Sequence, residues 1–474
     1  MRRALLIALL AALLLPTAAS AMRNPVVPET AAGDDTPDPW LFRHADRYWL
    51  TYTTAGRIEL RSARTLTGLA GATPRKLWPP DGVVEPEERC CEIWAPEIHR
   101  LTGPDGRPRW YVYYAANGHT FGTHRMYVLE SEGDSPAGPY RDRGRLDLPE
   151  PFAIDGTVFE DRGRRYLIYS AGDTFAPASL RLVELSNPWT VASAPVVISE
   201  PTLPWEQATF AINEGPEVLT RDGLLHVIYS ASWCGSGHYA MGRLTVPADA
   251  DLLDPATWRD AKVPEPVFAG DPARGVWGPG HGSFFTSPDG REHWMVYHAT
   301  EEEKGCFTGG LRTVRAQPFT WRADGTPDFG APAPLSQHLP APSGDGSVVA
   351  QAETVVRRAR GARATTVSDR RLHGYEGLRL APARGGDRLA TLRVRVPRGG
   401  RYRVVLDVLG QPGAGPVALR RSGRSAVRRS ARAASERLLA LPFGTLRLRR
   451  GVTRLTLSSD RPLTVDQLRL ERAR

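Results

Sequence analysis

Only four cysteines occur in 474 residues, Cys90, Cys91, Cys234 and Cys306, and none shows the C-x-x-C type of spacing that a zinc cluster requires. A structural metal cluster is thereby excluded. Disulfides are the expected use, with Cys234–Cys306 and an adjacent Cys90–Cys91 pair both left open by the sequence. Beyond Leu15 no apolar run approaches the roughly 20 residues needed to cross a bilayer, which excludes a membrane span. Residues 1–21 instead read as a signal peptide, with Arg2 and Arg3, an apolar run over 4–15 and the small residues Ala18, Ala19, Ser20 and Ala21. Cleavage is expected after Ala21. No cysteine follows the run to take a lipid, so the mature chain is expected in the periplasm or outside the cell, where disulfides persist.

Charge is missing in one form as well. From residue 347 to 474 there are 29 arginines, no lysine and nine carboxylates, so this stretch carries about +20 of a net +9 while the rest carries about −11. No nucleic-acid-binding motif accompanies the arginines, and an exported chain has no such partner, so nucleic acid is excluded. About 450 mature residues exceed what one core supports, and two domains are expected.

What is present is a repeat. A turn followed by an aromatic-rich strand occurs five times, closing on Tyr52, Tyr114, Tyr169, Tyr229 and Tyr297. Glycine in turns such as Asp105-Gly106, Asp222-Gly223 and Asp289-Gly290 supplies the positive φ that a hairpin needs. Units of this length, built of short strands with no helical period between them, predict an all-β chain with a five-bladed β-propeller. A β-sandwich is the competing arrangement. It is disfavoured because a polar residue stands 14 to 17 positions before every closing tyrosine: Asp38, Glu97, Asp155, Glu214 and His281. In a propeller the first strand of each blade is innermost, so the spacing predicts that these five converge on one mouth.

Carboxylates around a shared cleft suit hydrolysis of a glycosidic bond, which needs a proton donor to the leaving oxygen and a base or nucleophile across the ring. A third acid raises the donor's pKa by like-charge repulsion. The segments that carry these residues resemble glycoside hydrolase family 43 over residues 24–335. Thr36-Pro37-Asp38-Pro39-Trp40 is similar to the segment of the general base, Ile154-Asp155-Gly156-Thr157 to that of the pKa-setting aspartate, and Asn213-Glu214-Gly215-Pro216 to that of the general acid. Ile93-Trp94-Ala95-Pro96-Glu97-Ile98 and Gly278-Pro279-Gly280-His281-Gly282-Ser283 resemble the family's second- and fifth-blade segments.

The resemblance implies an inverting hydrolase with Asp38 as base, Glu214 as acid and Asp155 as modulator. It also implies a calcium or another ion in the central channel near His281. Segments such as Tyr229-Ser230-Ala231-Ser232 and Trp321-Arg322-Ala323-Asp324-Gly325 resemble the exo-acting α-L-arabinofuranosidase branch, with β-xylosidase and endo-arabinanase as alternatives. The expected substrate is a plant cell-wall polysaccharide or oligosaccharide. Trp40, Trp94, Phe210 and Trp277 are expected to wall the sugar site with Glu97, and Arg312 or Arg315 to reach sugar hydroxyls or hold a carboxylate. A non-catalytic glycan-binding propeller would not need both Asp38 and Glu214. The retaining sucrose-splitting propellers open with Asn-Asp-Pro-Asn-Gly, which is missing here.

The expected propeller spans 22–339 and is followed by a linker at 340–346, rich in proline, glycine and serine. Strand-like alternation such as Thr391-Leu392-Arg393-Val394-Arg395-Val396 predicts a β-sandwich over 347–474. Its ends and its Pro397-to-Tyr402 turn resemble a carbohydrate-binding module. It offers only three aromatics, Tyr375, Tyr402 and Phe443; Tyr402 falls in a strand, leaving Tyr375 as the candidate platform. The arginines predict attraction to anionic pectin.

Overall fold

The computed structural model describes residues 21–28, 35–82 and 85–473. The expected signal peptide lies outside them apart from Ala21. Five antiparallel sheets follow one another along the chain, each wound by hairpins from its first strand outward. Their first strands are Trp40–His44, Cys91–Thr102, Phe152–Asp161, Asn213–Arg221 and Trp277–Thr286. These lie side by side around an axis, and the fifth abuts the first, so the ring is closed. This is a five-bladed propeller. Ring closure is secured by polar contacts across the joint. The Leu41 N–H donates to Ser283 Oγ at 2.8 Å, and the same hydroxyl donates to the Pro39 carbonyl. Upstream of the first blade, the Val26 N–H donates to the Val314 carbonyl at 2.7 Å, binding the start of the chain to the last blade.

The repeated tyrosines explain why the blades resemble one another. All five are buried, and burying a phenol requires a partner for its hydroxyl. Four find one within their own blade: Tyr169 donates to Glu150, Tyr229 to Glu206 and Tyr297 to Gln317, while Tyr52 accepts from Arg61 Nε. The residue after the tyrosine then reaches the next blade. Thr53 Oγ1 accepts from the Ala95 N–H, Ser230 Oγ from the His281 N–H and His298 Nδ1 from the Asp38 N–H. Two adjacent sequence positions therefore set the blade core and the joint between blades.

Two further sheets form a β-sandwich. One contains Arg363–Ser368, Glu376–Ala381, Leu463–Arg472, Gly400–Gly410, Arg437–Leu448 and Ser347–Gln351; the other contains Val356–Arg358, Arg388–Val396, Gly451–Ser458, Pro416–Arg421 and Val427–Ser430. The alternating apolar residues, among them Leu392, Val394, Val404, Leu406, Leu455 and Leu457, meet between the sheets and send the arginines outward. Tyr402 is in this core, as its strand position predicted. The disulfides are Cys90–Cys91 and Cys234–Cys306.

The segment 340–346 does not behave as a free linker. The Ser343 N–H donates to Glu292, and the buried carboxylate of Asp345 accepts from the Leu66 N–H at 2.9 Å. These bonds fasten the sandwich to the first and last blades, and Arg23 adds ion pairs to Glu353 and Glu376. Tyr375, expected as an exposed platform, is turned toward the propeller, where Glu301 and Arg315 of the last blade surround it.

The closest approach is at Gly71 in the first blade, where an added Cβ would lie 2.3 Å from Ala440 Cβ of the sandwich. Gly71→Val is therefore expected to wedge the domains apart, lowering stability by about 1–3 kcal/mol. Thermal unfolding should show the loss, and limited proteolysis should cut within 340–346 faster than in the unmodified chain. Unchanged melting and unchanged cleavage would show that this contact does not hold the domains together.

Candidate active site

Each blade has a residue in the left-handed region, within its inner strand in blades two to five and two residues before it in the first: Asp38 (φ 54°), Ala95 (φ 40°), Asp155 (φ 55°), Gly215 (φ 53°) and His281 (φ 36°). In blades two to five it sits in a β-bulge, where register slips between Trp94 and Glu97, Ile154 and Thr157, Glu214 and Glu217, and Gly280 and Ser283. A bulge re-aims the side chains beside it, and non-glycine residues there are strained. Gly215 cannot be replaced without cost, because a Cβ would come within 2.8 Å of the His281 ring.

The bulges correct the alignment read from spacing. Asp38, Asp155 and His281 share one position, whereas Glu214 stands one residue before it and Glu97 two residues after. Glu97 is accordingly set off from that position. It is buried, 2.8 Å from His99 Nε2, interacts with Glu217, which holds the same bulge position in the fourth blade, and stays within electrostatic reach of His281 and Asp155.

Three carboxylates and a histidine do meet. His281 Nδ1 is 3.3 Å from Asp38 Oδ1 and 3.7 Å from Asp155 Oδ2, and Asp155 Oδ2 accepts from the Gly215 N–H at 3.1 Å, beside Glu214. Thr53 donates to Asp38 Oδ2 at 2.7 Å, Arg312 Nη1 lies 3.7 Å from Asp38 Oδ1, and Tyr239 donates to Glu214 Oε1 at 2.7 Å. Their protonation differs sharply. Burial opposes ionisation of Asp38, yet His281, His298 and Arg312 together outweigh it and hold its carboxyl well below the usual range. Burial, then the charge of Asp155, push Glu214 up to about 8. Burial and the charge of Asp38 likewise push Asp155 well up. One mouth thus holds an ionised carboxylate and a protonated acid at neutral pH.

Of the two arginines, Arg312 is at the site, with Nε donating to Asp35 at 3.0 Å; Arg315 is fully buried and bonded to Glu301. Trp40 is used in packing. It lies two residues past Asp38, its Nε1 donates to the Ile98 carbonyl at 3.0 Å, and its ring sits 4.6 Å from His99, between the first and second blades. Trp94 and Phe210 remain at the rim. Trp94 stacks on His124 at 3.7 Å, and Phe210 is 42% exposed. Trp277 rests against Gly237.

The rim continues through rings that spacing did not reveal. Phe121 (49% exposed) lies 6.0 Å from Trp94, Phe175 bridges Phe121 and Phe210, and Phe307 (64% exposed) contacts both Trp94 and Phe121. Exposed aromatics in a continuous arc offer flat faces for sugars. They sit in loops outside the repeat, so no pattern announces them. Thr53 and His298 could have been found, since both follow a closing tyrosine.

The ion implied near His281 meets a poor ligand set. Calcium takes six to eight oxygens. Among the described residues the one group of three His, Cys, Asp or Glu ligand atoms mutually within 4.8 Å is Cys90, Cys91 and His119, and its two sulfurs are joined to each other. The protein builds no cage around His281, and no chemistry is assigned to an ion there.

Comparison with known proteins agrees with this geometry. The family model described as "Glycosyl hydrolases family 43" matches residues 22–327. An extracellular exo-α-(1→5)-L-arabinofuranosidase of Streptomyces avermitilis is 38% identical over 67% of this chain and 66% of its own length. Alpha-L-arabinofuranosidase 43 of Humicola insolens is 36% identical over 63% of this chain and 62% of its own. The chain thus spans just under two thirds of the length of these two curated relatives. The crystal structure of an α-L-arabinofuranosidase from Lactobacillus brevis is 35% identical, covers 67% of this chain and 98% of its own, and superposes with a TM-score of 0.59. Among the described residues no helix is long and apolar enough to cross a membrane.

Because the Tyr239 hydroxyl favours the ionised form of Glu214, Tyr239→Phe should move the Glu214 pKa above about 8. Carboxyl titration by NMR on glutamate-labelled protein reads this. A pKa that stays put or falls would show that the bond does not act on Glu214.

Proposed function

The chain belongs to glycosyl hydrolase family 43, and on that premise we propose that it is an exo-acting α-L-arabinofuranosidase that works by inversion. The observation that carries this reading is the opposite protonation of Asp38 and Glu214 in one mouth. Asp38, already ionised, takes a proton from a water molecule as the water oxygen attacks the anomeric carbon. Glu214, already protonated, gives its proton to the departing glycosidic oxygen. After the reaction Asp38 holds a proton and Glu214 has lost one, and exchange with solvent restores both. Burial, with repulsion between the two acids added to it, keeps Glu214 protonated, and Asp155 Oδ2, which accepts from the Gly215 N–H, positions the segment that carries the acid. His281, His298 and Arg312 keep the base ionised.

The choice of arabinose rests on the activities named for the relatives, and the aromatic rim accommodates further sugar units of a plant polysaccharide. Export fits the two disulfides and the extracellular relatives. The arginine-rich sandwich is assigned a tethering role on anionic pectin, to be read by salt-sensitive pull-down of residues 347–474 with polygalacturonate.

Glu214→Gln is expected to slow hydrolysis of natural arabinosides by about a hundredfold to ten-thousandfold, while sparing much of the activity on p-nitrophenyl α-L-arabinofuranoside, whose leaving group needs little protonation. Equal loss on both substrates would remove Glu214 from the acid role. Faster release from p-nitrophenyl β-D-xyloside in the unmodified enzyme would replace arabinofuranosidase by β-xylosidase. The pH profile follows from the same groups. Glu214 is protonated below about 8, so kcat/KM should fall as pH rises through about 8, whereas Asp38 stays ionised across the acid range and imposes no loss there. An alkaline limb that survives in Glu214→Gln would belong to another group.

A further inference from the structure

The catalytic mouth does not end at the propeller. A cleft of about 1120 Å³ begins at Thr53 and Arg312, which both attend Asp38, passes Trp94 and Phe307, and ends on Arg432 and Arg437 of the sandwich. Its volume exceeds what a single sugar fills, since pockets for drug-sized ligands run to about 300–1,000 Å³. The wall contributed by the sandwich is apolar at its base, with Leu438 half-buried, and cationic at its edge.

Charge along this cleft is unbalanced. Five arginines line it against two carboxylates, and both carboxylates are taken: Glu59 by Arg57 at 2.5 Å and Asp35 by Arg312 at 3.0 Å. Arg61 is buried and satisfied by the Tyr52 hydroxyl and the Ala72 carbonyl. Arg432 and Arg437 are different. Both are exposed, and neither has a carboxylate partner among the described residues. Glu436, beside Arg437 in sequence, is occupied by Arg371. Two exposed guanidinium groups thus line a cleft whose other end is lined by Thr53 and Arg312, the neighbours of the catalytic base, and a guanidinium is a planar donor that matches a carboxylate.

We propose that this cleft is a subsite for an acidic sugar, in which Arg432 and Arg437 hold the carboxylate of a uronosyl unit of the same glycan whose terminal sugar sits between Asp38 and Glu214. It rests on the hydrolase reading for the position of that terminal sugar, and it narrows the partner from pectin in general to a uronosyl unit at a defined distance from the bond that is cut. Trp94 and Phe307 lie between the two ends and supply faces for the intervening units. The sandwich is then part of the substrate-binding surface as well as a tether.

The test uses the full chain carrying Glu214→Gln, so that nothing is hydrolysed. Affinities for trigalacturonate, for an oligosaccharide bearing one glucuronate, and for neutral arabinotriose are measured by calorimetry at low ionic strength. Acidic oligosaccharides are expected to bind more tightly, and Arg432→Gln with Arg437→Gln should weaken them by about tenfold or more while leaving the affinity for arabinotriose in place. The more tightly bound acid identifies the uronate. The pair Arg401→Gln and Arg454→Gln removes the same charge elsewhere on the sandwich and should change little. Equal binding of acidic and neutral sugars, or equal weakening by the control pair, would overturn the subsite. Failure of the unmodified enzyme to release arabinose would instead overturn the hydrolase reading and leave the binding result standing.

Discussion

At one place in or just before the inner strand of each blade the backbone passes through the left-handed region, and the site depends on that bend. A regular strand would alternate its side chains between the two faces of the blade. The bend interrupts the alternation, so Asp38, Asp155 and His281 come together while Glu214, one residue before the bend of its own blade, reaches the same space from the fourth blade. The strain is supported from outside the strand. Thr53, Ser230 and His298 each bond the backbone at the bend of the following blade, so at three of the five joints one blade holds its neighbour in the unfavourable conformation.

Burial then acts on the gathered acids unequally. Every carboxyl in the mouth is penalised for charge, and what separates them is compensation. Asp38 has Thr53, Arg312 and two histidines around it and stays ionised; for Glu214 the help of Tyr239 and His281 does not offset burial and the charges of Asp155 and Asp38, and it keeps its proton. The same physics applies to Glu97 and Glu217, which interact with each other and are both pushed upward by burial although His281 acts on Glu97. Five shifted acids, Asp155 among them, follow from one geometric constraint combined with desolvation.

Polar contacts and one close apolar approach fix the second domain to this core. Asp345 caps the turn at Leu66, Arg23 spans to Glu353 and Glu376, and Gly71 lets Ala440 approach. That docking places exposed arginines of the sandwich at the end of the cleft that starts beside Asp38. It also consumes Tyr375, the one aromatic that could have served as an exposed platform, at the joint between domains.

The fold class, the five blades and the three acids were legible in the sequence because each rests on local chemistry: tyrosines that close a blade core, glycine turns that make hairpins, and short segments whose residues cannot be exchanged without losing the bend or the charge. The sandwich was legible from period two for the same reason. Tertiary structure alone decided the rest. Spacing counts residues and cannot see a bulge, so Glu97 was aligned with Glu214 although the bulges set them three positions apart, and Trp40 was set on the sugar wall although its indole closes the joint between two blades. Phe121, Phe175 and Phe307 lie in loops with no repeat to mark them, and only the closing of the ring brings them together. The protonation of each acid was likewise beyond the sequence, because it depends on which cations stand within a few ångströms after five separate strands have met.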